Sequence, residues 1–235
     1  MNRMILRTIQ RVGMSIRFNK MTNAKTPHQI GEISPPRFEF RTFGYQLDAS
    51  AKLMADASIA VPEAVRERSS DELYIVSKTN DSNNTKIRNG HVDIKTLIQT
   101  VDGCEQWKPQ LKTGFPIVKE VLVNDLFPAF MVEPPALRKE SYTLEEFLTL
   151  VRAHPKFKVI KVHKHRHAYN VNNTICEVAK VVINGVHLKT ISTESTVLAD
   201  VKKTIEAVGL TGVENINYVQ AIKRIIKWEN KPLAT

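Results

Sequence analysis

Cysteine is scarce in this chain: only two, Cys104 and Cys176, occur among 235 residues. Their wide separation fits neither a disulfide framework nor the spacing of a metal site, so we expect free thiols and a reducing compartment. Long hydrophobic runs are missing too, because no stretch approaches the roughly 20 continuous apolar residues of a membrane-spanning helix. The sequence therefore predicts neither a structural disulfide nor a transmembrane segment.

Acidic residues are absent from positions 1–31, and Glu32 is the first of them. The formal net charge is +10, and six basic residues of this leader leave only +4 for the remainder. Such a modest surplus, without interleaved aromatic and basic residues, argues against a nucleic-acid partner. The six basic residues of the leader are Arg3, Arg7, Arg11, Arg17, Lys20 and Lys25.

The leader has an amphipathic helical pattern. Arg3, Arg7 and Arg11 recur at every fourth position and form one stripe, while apolar residues such as Ile5 and Ile9 form another. A basic, amphipathic, acid-free segment is typical of a mitochondrial presequence, so residues 1–31 predict a mitochondrial location. The alternative is a basic arm that stays attached and packs on a partner.

Alternating strands and short helices fill residues 35–228, which we interpret as one domain followed by a tail at 229–235. Asn89-Gly90 and Asn184-Gly185 predict two tight hairpins. Residues 104–140 are interrupted by prolines and carry no clear pattern. The whole predicts an α+β fold whose largely antiparallel sheet closes into a barrel with flanking helices. Strands are predicted at 37–43, 73–78, 85–88, 92–99, 158–171, 175–183 and 186–195, and helices at 47–57, 143–153, 196–208 and 218–228.

Charged residues occur inside these strands at a period of two. Lys86 and Arg88 share a strand face, as do Lys164 and Arg166, and Lys95 follows across the first hairpin. Alternating strands usually turn charge toward solvent, and any one of these residues fits that simpler interpretation. Their combination over several strands favours a water-filled lumen, where Arg and Lys side chains converge on phosphate oxygens.

The order of elements from Arg37 to Lys227 resembles the CYTH, or triphosphate tunnel metalloenzyme, superfamily. The segments that carry this resemblance are Arg37-Phe38-Glu39-Phe40-Arg41, Lys86-Ile87-Arg88 followed by Lys95, Lys164-His165-Arg166, the strand acids Glu177 and Glu194, and Gly209-Leu210 through Asn215-Ile216-Asn217-Tyr218.

The resemblance implies a triphosphate-tunnel barrel with a polyanionic phosphate ligand. It implies either cyclase-like chemistry or a metal-dependent phosphohydrolase activity, because the superfamily hosts both. It also implies bound Mg²⁺ or Mn²⁺, with Glu39, Glu177 and Glu194 as the metal ligands. The residues that the resemblance implies in phosphate binding are Arg41, Lys86, Arg88, Lys95, Lys164 and Arg166.

Departures from the family pattern weaken the metal site. Arg37 stands where the family has its first acid, and Ala179 stands two residues beyond Glu177, where another acid is expected. We therefore predict binding of a triphosphate-bearing or polyphosphate ligand and leave hydrolysis open. The alternative is a non-catalytic structural subunit of a mitochondrial multiprotein assembly that has kept the barrel.

Three further features have simpler interpretations. His163, His165 and His167 share the strand face opposite Lys164, where imidazoles can bind zinc, but the sequence shows no clear fourth ligand. We interpret them as solvated or core-edge histidines. A lone Trp107 is interpreted as a packing residue. The basic residues of the last helix are interpreted as a solvated face; they are Lys223, Arg224 and Lys227.

Overall fold

Ten strands and seven short α-helices make up the described chain, residues 34–233 of a computed structural model. The predicted leader, residues 1–31, lies outside this range. The strands are β1 (Arg37–Gly44), β2 (Glu67–Ser77), β3 (Asn83–Arg88), β4 (His91–Val101), β5 (Cys104–Gly114), β6 (Ile117–Val118), β7 (Ser141–Tyr142), β8 (Phe157–Val171), β9 (Thr174–Ile183) and β10 (Val186–Ser195).

Eight of the strands close into an antiparallel barrel in the order β1-β10-β9-β8-β2-β3-β4-β5, which confirms the predicted fold class. The two short strands β6 and β7 pair separately. Both predicted hairpin turns are present, because Asn89 and Gly90 have φ of 51° and 70°, and Asn184 and Gly185 have φ of 50° and 83°. Backbone of this kind favours Asn and Gly.

The helices flank the barrel, and none in the described range is long and apolar enough to cross a membrane. Thr143 caps α5 with Glu146 as its reciprocal partner, as predicted. Asn217 caps α7 in the same way with Gln220, although α7 ends before the predicted Trp228. The helices are α1 (Asp48–Ala57), α2 (Glu63–Arg66), α3 (Lys119–Val121), α4 (Phe127–Ala129), α5 (Leu144–Ala153), α6 (Leu198–Ala207) and α7 (Tyr218–Ile225), with a π-helical turn at Leu122–Leu126 between α3 and α4.

Apolar side chains pack on both sides of the barrel wall. Outside it, one cluster that includes Phe40 and Met54 lies between the wall and helices α1 and α6. A second outer cluster packs β3, β4 and β5 under the segment from α3 to α5. A third cluster lies inside one end, where Tyr218 and Ile222 of α7 meet inward residues such as Val181. Helix α7 therefore closes that end of the barrel.

Strand β5 was not predicted, although it completes the barrel by pairing with both β4 and β1. Pro109 lies within it, and prolines usually interrupt strands. The register between β4 and β5 shifts between Ile94 and Lys95 and again between Leu97 and Gln99. Such bulges accommodate a residue that has no N–H to donate, and they also erase the alternation that sequence analysis relies on.

A candidate anion-binding lumen

All six predicted phosphate-binding residues lie on the inner faces of four strands. Tyr74 of β2 points into the barrel, and Lys86 lies directly opposite it on β3. Ser70 shares the inner face of β2 with Tyr74, and Lys164 lies directly opposite Ser70 on β8. The structure thus places these cationic side chains from separate strands in one shared interior, and phosphate binding by them stays a prediction. The six are Arg41 on β1, Lys86 and Arg88 on β3, Lys95 on β4, and Lys164 and Arg166 on β8.

Glu72 on β2 is an inner carboxylate that the sequence analysis missed. Its side chain is completely buried, and its oxygens lie 3.2 Å from Lys86 Nζ and 3.3 Å from Arg88 Nη1. The hydroxyl of Tyr74 donates to it at 3.1 Å. Burial raises the pKa of Glu72, but the charges of Lys86, Lys164 and Arg88 outweigh it and hold that pKa at about 2. Glu72 is therefore ionised inside the barrel.

Glu177 is the second inner carboxylate and serves three cations. Its oxygens lie 3.2 Å from Arg41 Nη1, 3.4 Å from Lys164 Nζ and 3.9 Å from Arg166 Nη1. Burial raises the pKa of Glu177, but Lys164, Arg41 and Arg166 together lower it to about 2. Arg41 also donates to Glu39 at 2.7 Å and thereby links two carboxylates.

The predicted metal ligands Glu39, Glu177 and Glu194 do not form a preformed cation site. Glu39 and Glu177 both form ion pairs with Arg41. Glu194 forms an ion pair with Arg37 at 2.8 Å. Within residues 34–233, three or more His, Cys, Asp or Glu residues bring their ligand atoms within 4.8 Å of one another only at a group outside the lumen. As arranged, these carboxylates fit guanidinium and ammonium groups, and binding of Mg²⁺ or Mn²⁺ by them stays a prediction.

A small cavity of about 80 Å³ lies among these charges. Asn84 and Tyr218 line it, and the Oδ1 atom of Asn84 and the hydroxyl of Tyr218 are buried without a hydrogen-bond partner in the described range. Lys95 also lines it, and no ion pair of Lys95 occurs in the described range. Because buried polar groups are nearly always satisfied, these atoms indicate a place for water or a polar ligand.

The cations around this cavity repel one another. Burial lowers the pKa of Lys86 most, and although Glu72 opposes the effect, Arg88, Lys164 and Lys95 help to bring that pKa down to about 8. Burial and the neighbouring cations together therefore disfavour the ammonium form of Lys86 in the empty lumen. A bound anion would offset the repulsion among these cations.

Aromatic rings of the lumen hold the cations in place. The ring of Tyr218 lies 4.9 Å from Arg41 Cζ and 5.8 Å from Lys164 Nζ, at distances typical of cation–π contacts. Tyr74 stacks on Tyr218 with ring centroids 5.0 Å apart. Trp107 is buried as predicted, but it also lines the cavity and donates to Glu105 at 3.1 Å.

The prediction of a solvated basic face on the last helix is wrong for two of its three residues. Lys223 and Arg224 are only 4% and 8% exposed, whereas Lys227 is exposed. Lys223 donates to the carbonyl of Asn80 at 2.9 Å, and Arg224 donates to Glu214 at 2.9 and 3.0 Å. The reason is that α7 packs across the barrel end, so both cations reach neighbouring loops rather than solvent.

The predicted free thiols are confirmed, since Cys104 and Cys176 are both unpaired and buried. Burial raises the pKa of each thiol. Neither cysteine lines the lumen cavity.

Comparisons with known proteins give weak similarities only. No family model matches the chain, and no curated protein matches it. A conserved hypothetical protein from Pyrococcus furiosus is 13% identical, with 78% of this chain and 98% of that chain covered and a TM-score of 0.45. A putative adenylate cyclase from Bacillus halodurans is 13% identical, with coverage of 78% and 95% and a TM-score of 0.44. A putative adenylyl cyclase from Hippeastrum, described as having a dominant triphosphatase activity, is 10% identical, with coverage of 74% and 88% and a TM-score of 0.37.

Proposed function

We propose that the lumen binds a triphosphate-bearing or polyphosphate anion. The observation that carries this proposal is the convergence of six cationic side chains from four strands inside one closed barrel. Burying a charged side chain on the inner face of a barrel costs free energy unless an ion or water contacts it. A chain of phosphate groups presents many anionic oxygens along one line, which suits cations spread along the inner wall.

Phosphate oxygens would replace carboxylate oxygens as partners of the lumen cations. Arg41, Arg88 and Arg166 present planar guanidinium groups that suit bidentate contacts, and Lys86 and Lys164 act as point charges. The Tyr218 hydroxyl, unpaired in the structure, can donate to the ligand. The inner carboxylates keep these cations in place before the ligand arrives, and the ligand then competes with them.

The size of the cavity implies that the ion pairs rearrange on binding. The cavity measures about 80 Å³ and is bounded by ion-paired side chains such as Arg41 and Lys86. A triphosphate therefore enters by separating cations from Glu72 and Glu177. The Arg37–Glu194 pair lies on the inner wall at the end of the barrel opposite α7, with side chains 33% and 24% exposed.

A thermal-shift titration tests the proposal. Tripolyphosphate added to the full chain is expected to raise its melting temperature, and Arg88→Glu or Arg166→Glu is expected to abolish the rise because each places a carboxylate among the phosphate oxygens. Lys161→Glu is the matched control, since Lys161 is exposed on the outer face of the same strand as Arg166. No shift with any phosphate compound, or equal loss in the Lys161 variant, would contradict the proposal.

Binding is expected to depend on the protonation of Lys86. Its pKa is about 8 in the folded protein, below the ordinary 10.5, so the ammonium form is disfavoured in the empty lumen. A bound polyanion favours the charged form and raises this pKa. Affinity should therefore fall as pH rises above about 8, with proton uptake on binding at such pH values. Calorimetry in buffers of different ionisation enthalpy measures this uptake, and Lys86→Met should remove it.

A second candidate is a non-catalytic structural subunit of a mitochondrial assembly. The commitment of Glu39, Glu177 and Glu194 to ion pairs favours it, because a hydrolase of this kind needs carboxylates that are free to hold a divalent cation. The basic leader supports the mitochondrial location. Sedimentation of the native protein only with a large complex, together with no hydrolysis of triphosphate in Mg²⁺ or Mn²⁺, would select this candidate.

A further inference from the structure

The outer face of β2 and β8 carries an unusual set of polar residues. The strand register places Glu67 opposite His167, Ser69 opposite His165, and Asp71 opposite His163. Lys164 and Arg166, which alternate with these histidines, point into the lumen. The outer set is therefore separate from the proposed anion site, with the barrel wall between them.

Three of these residues come close enough to share one ion. The ligand atoms of Glu67, His165 and His167 all lie within 4.8 Å of one another. His167 Nδ1 lies 3.1 Å from a carboxylate oxygen of Glu67, and the two imidazole rings have centroids 5.1 Å apart. Two ligands of a tetrahedral zinc ion with bonds near 2.0–2.1 Å are separated by about 3.3 Å. To share one ion, the most distant of these atoms must come up to about 1.5 Å closer through side-chain rotation.

The position of Glu67 supplies the ligand that the sequence did not reveal. Glu67 and His165 are distant in sequence, and only the pairing of β2 with β8 brings them together. Ser69 Oγ lies 2.9 Å from His165 Nδ1 and so helps to orient that ring. Hydrogen bonds of this kind commonly fix the imidazole ligands of metal sites.

We propose that Glu67, His165 and His167 form an external site for a divalent transition metal, with Zn²⁺ as the ion that best suits two imidazoles and one carboxylate. Water completes the coordination, because the site is open to solvent. Bound metal links β2 to β8, two neighbouring barrel strands, and stabilises the fold according to its concentration.

The charged residues next to Glu67, His165 and His167 have other partners or extend into solvent. His163 takes a separate partner, Asp71, at 3.1 Å and lies outside the group. Arg66 donates to the carbonyl of Val61 at 3.2 Å. Lys180 is opposite His165 on β9, but its side chain is exposed and free to extend into water.

Titration of the full chain with Co²⁺ and Zn²⁺ alone tests this site. We expect one equivalent of Co²⁺ to give the visible absorption of a four- or five-coordinate ion, and Zn²⁺ to displace it. His165→Ala and His167→Ala should each weaken binding by more than about tenfold. The matched control, His163→Ala, removes an imidazole from the same strand face and should change the affinity less than about twofold.

The site would be overturned by the absence of stoichiometric binding by the wild-type chain. It would also be overturned by an equal loss of affinity in all three histidine variants, which would indicate a diffuse imidazole patch. Circular dichroism of each variant checks that it folds. Should Glu67→Gln fold normally and bind metal as tightly as the wild type, Glu67 is not a ligand and the proposed group is wrong.

Discussion

Replacing Glu72 with Gln is expected to lower the free energy of unfolding by about 3–5 kcal/mol, the usual cost of breaking a buried ion pair by removing one partner. The substitution keeps the shape of the side chain and removes its charge. In the wild type, Lys86 Nζ and Arg88 Nη1 lie 3.2 and 3.3 Å from the oxygens of Glu72. In the variant these two cations face each other in the lumen without their shared carboxylate. Urea unfolding of the full chain measures the change.

Asp71→Asn is the matched control for Glu72→Gln. Asp71 is the preceding residue, lies on the outer face, and makes an exposed pair with His163. Exposed pairs contribute little, so its loss should cost less than about 1 kcal/mol. Tripolyphosphate should stabilise the Glu72 variant more than the wild type, because it replaces the missing negative charge. An equal or smaller ligand effect would contradict the proposed competition between carboxylate and phosphate.

Replacing Arg41 with Met is expected to have a destabilising effect of similar size, about 3–5 kcal/mol. Arg41 lies between Glu39 and Glu177, at 2.7 and 3.2 Å, and its removal leaves two buried carboxylates side by side. Glu177 keeps Lys164 and Arg166, whereas Glu39 keeps only the more distant charge of Lys95. Arg152→Met, on the exposed surface of α5, is the control and should change stability by less than about 0.5 kcal/mol.

The pH dependence distinguishes this effect from simple loss of packing. In the wild type the pKa of Glu177 is about 2 against an ordinary 4.5, so its contribution to stability is present above pH 4.5 and is lost as pH falls toward 2. In the Arg41 variant we expect the pKa of Glu39 to rise above its ordinary value. Stability should then decrease as pH rises through that pKa. Parallel pH profiles for variant and wild type would contradict this interpretation.

Local signals predicted much of this fold. Asn-Gly pairs fixed both hairpins, and the Thr143 capping box fixed the start of α5, because these features depend on residues only a few positions apart. That Lys86 and Arg88 share one face of β3 also followed from strand alternation.

Features that depend on distant contacts were not predictable in the same way. Strand β5 was hidden by Pro109 and by bulges that break its alternation. Glu72 was missed because the strand was predicted to begin at Leu73, although Ser70, Glu72 and Tyr74 share one face. The ion pairs of Glu177 with β1 and β8 depend on strand order and register, which a single sequence does not specify. Only the closed barrel shows that the predicted metal ligands are paired with cations.

The location of a bound polyphosphate tests the central claim most directly. A crystal structure of the full chain grown with tripolyphosphate is expected to show phosphate groups inside the barrel, within hydrogen-bond distance of Arg41, Lys86 and Lys95, and the pairs of Glu72 and Glu177 loosened. Phosphate found only on the outer surface, with every inner ion pair intact at saturating ligand, would contradict the claim that the lumen is an anion-binding site.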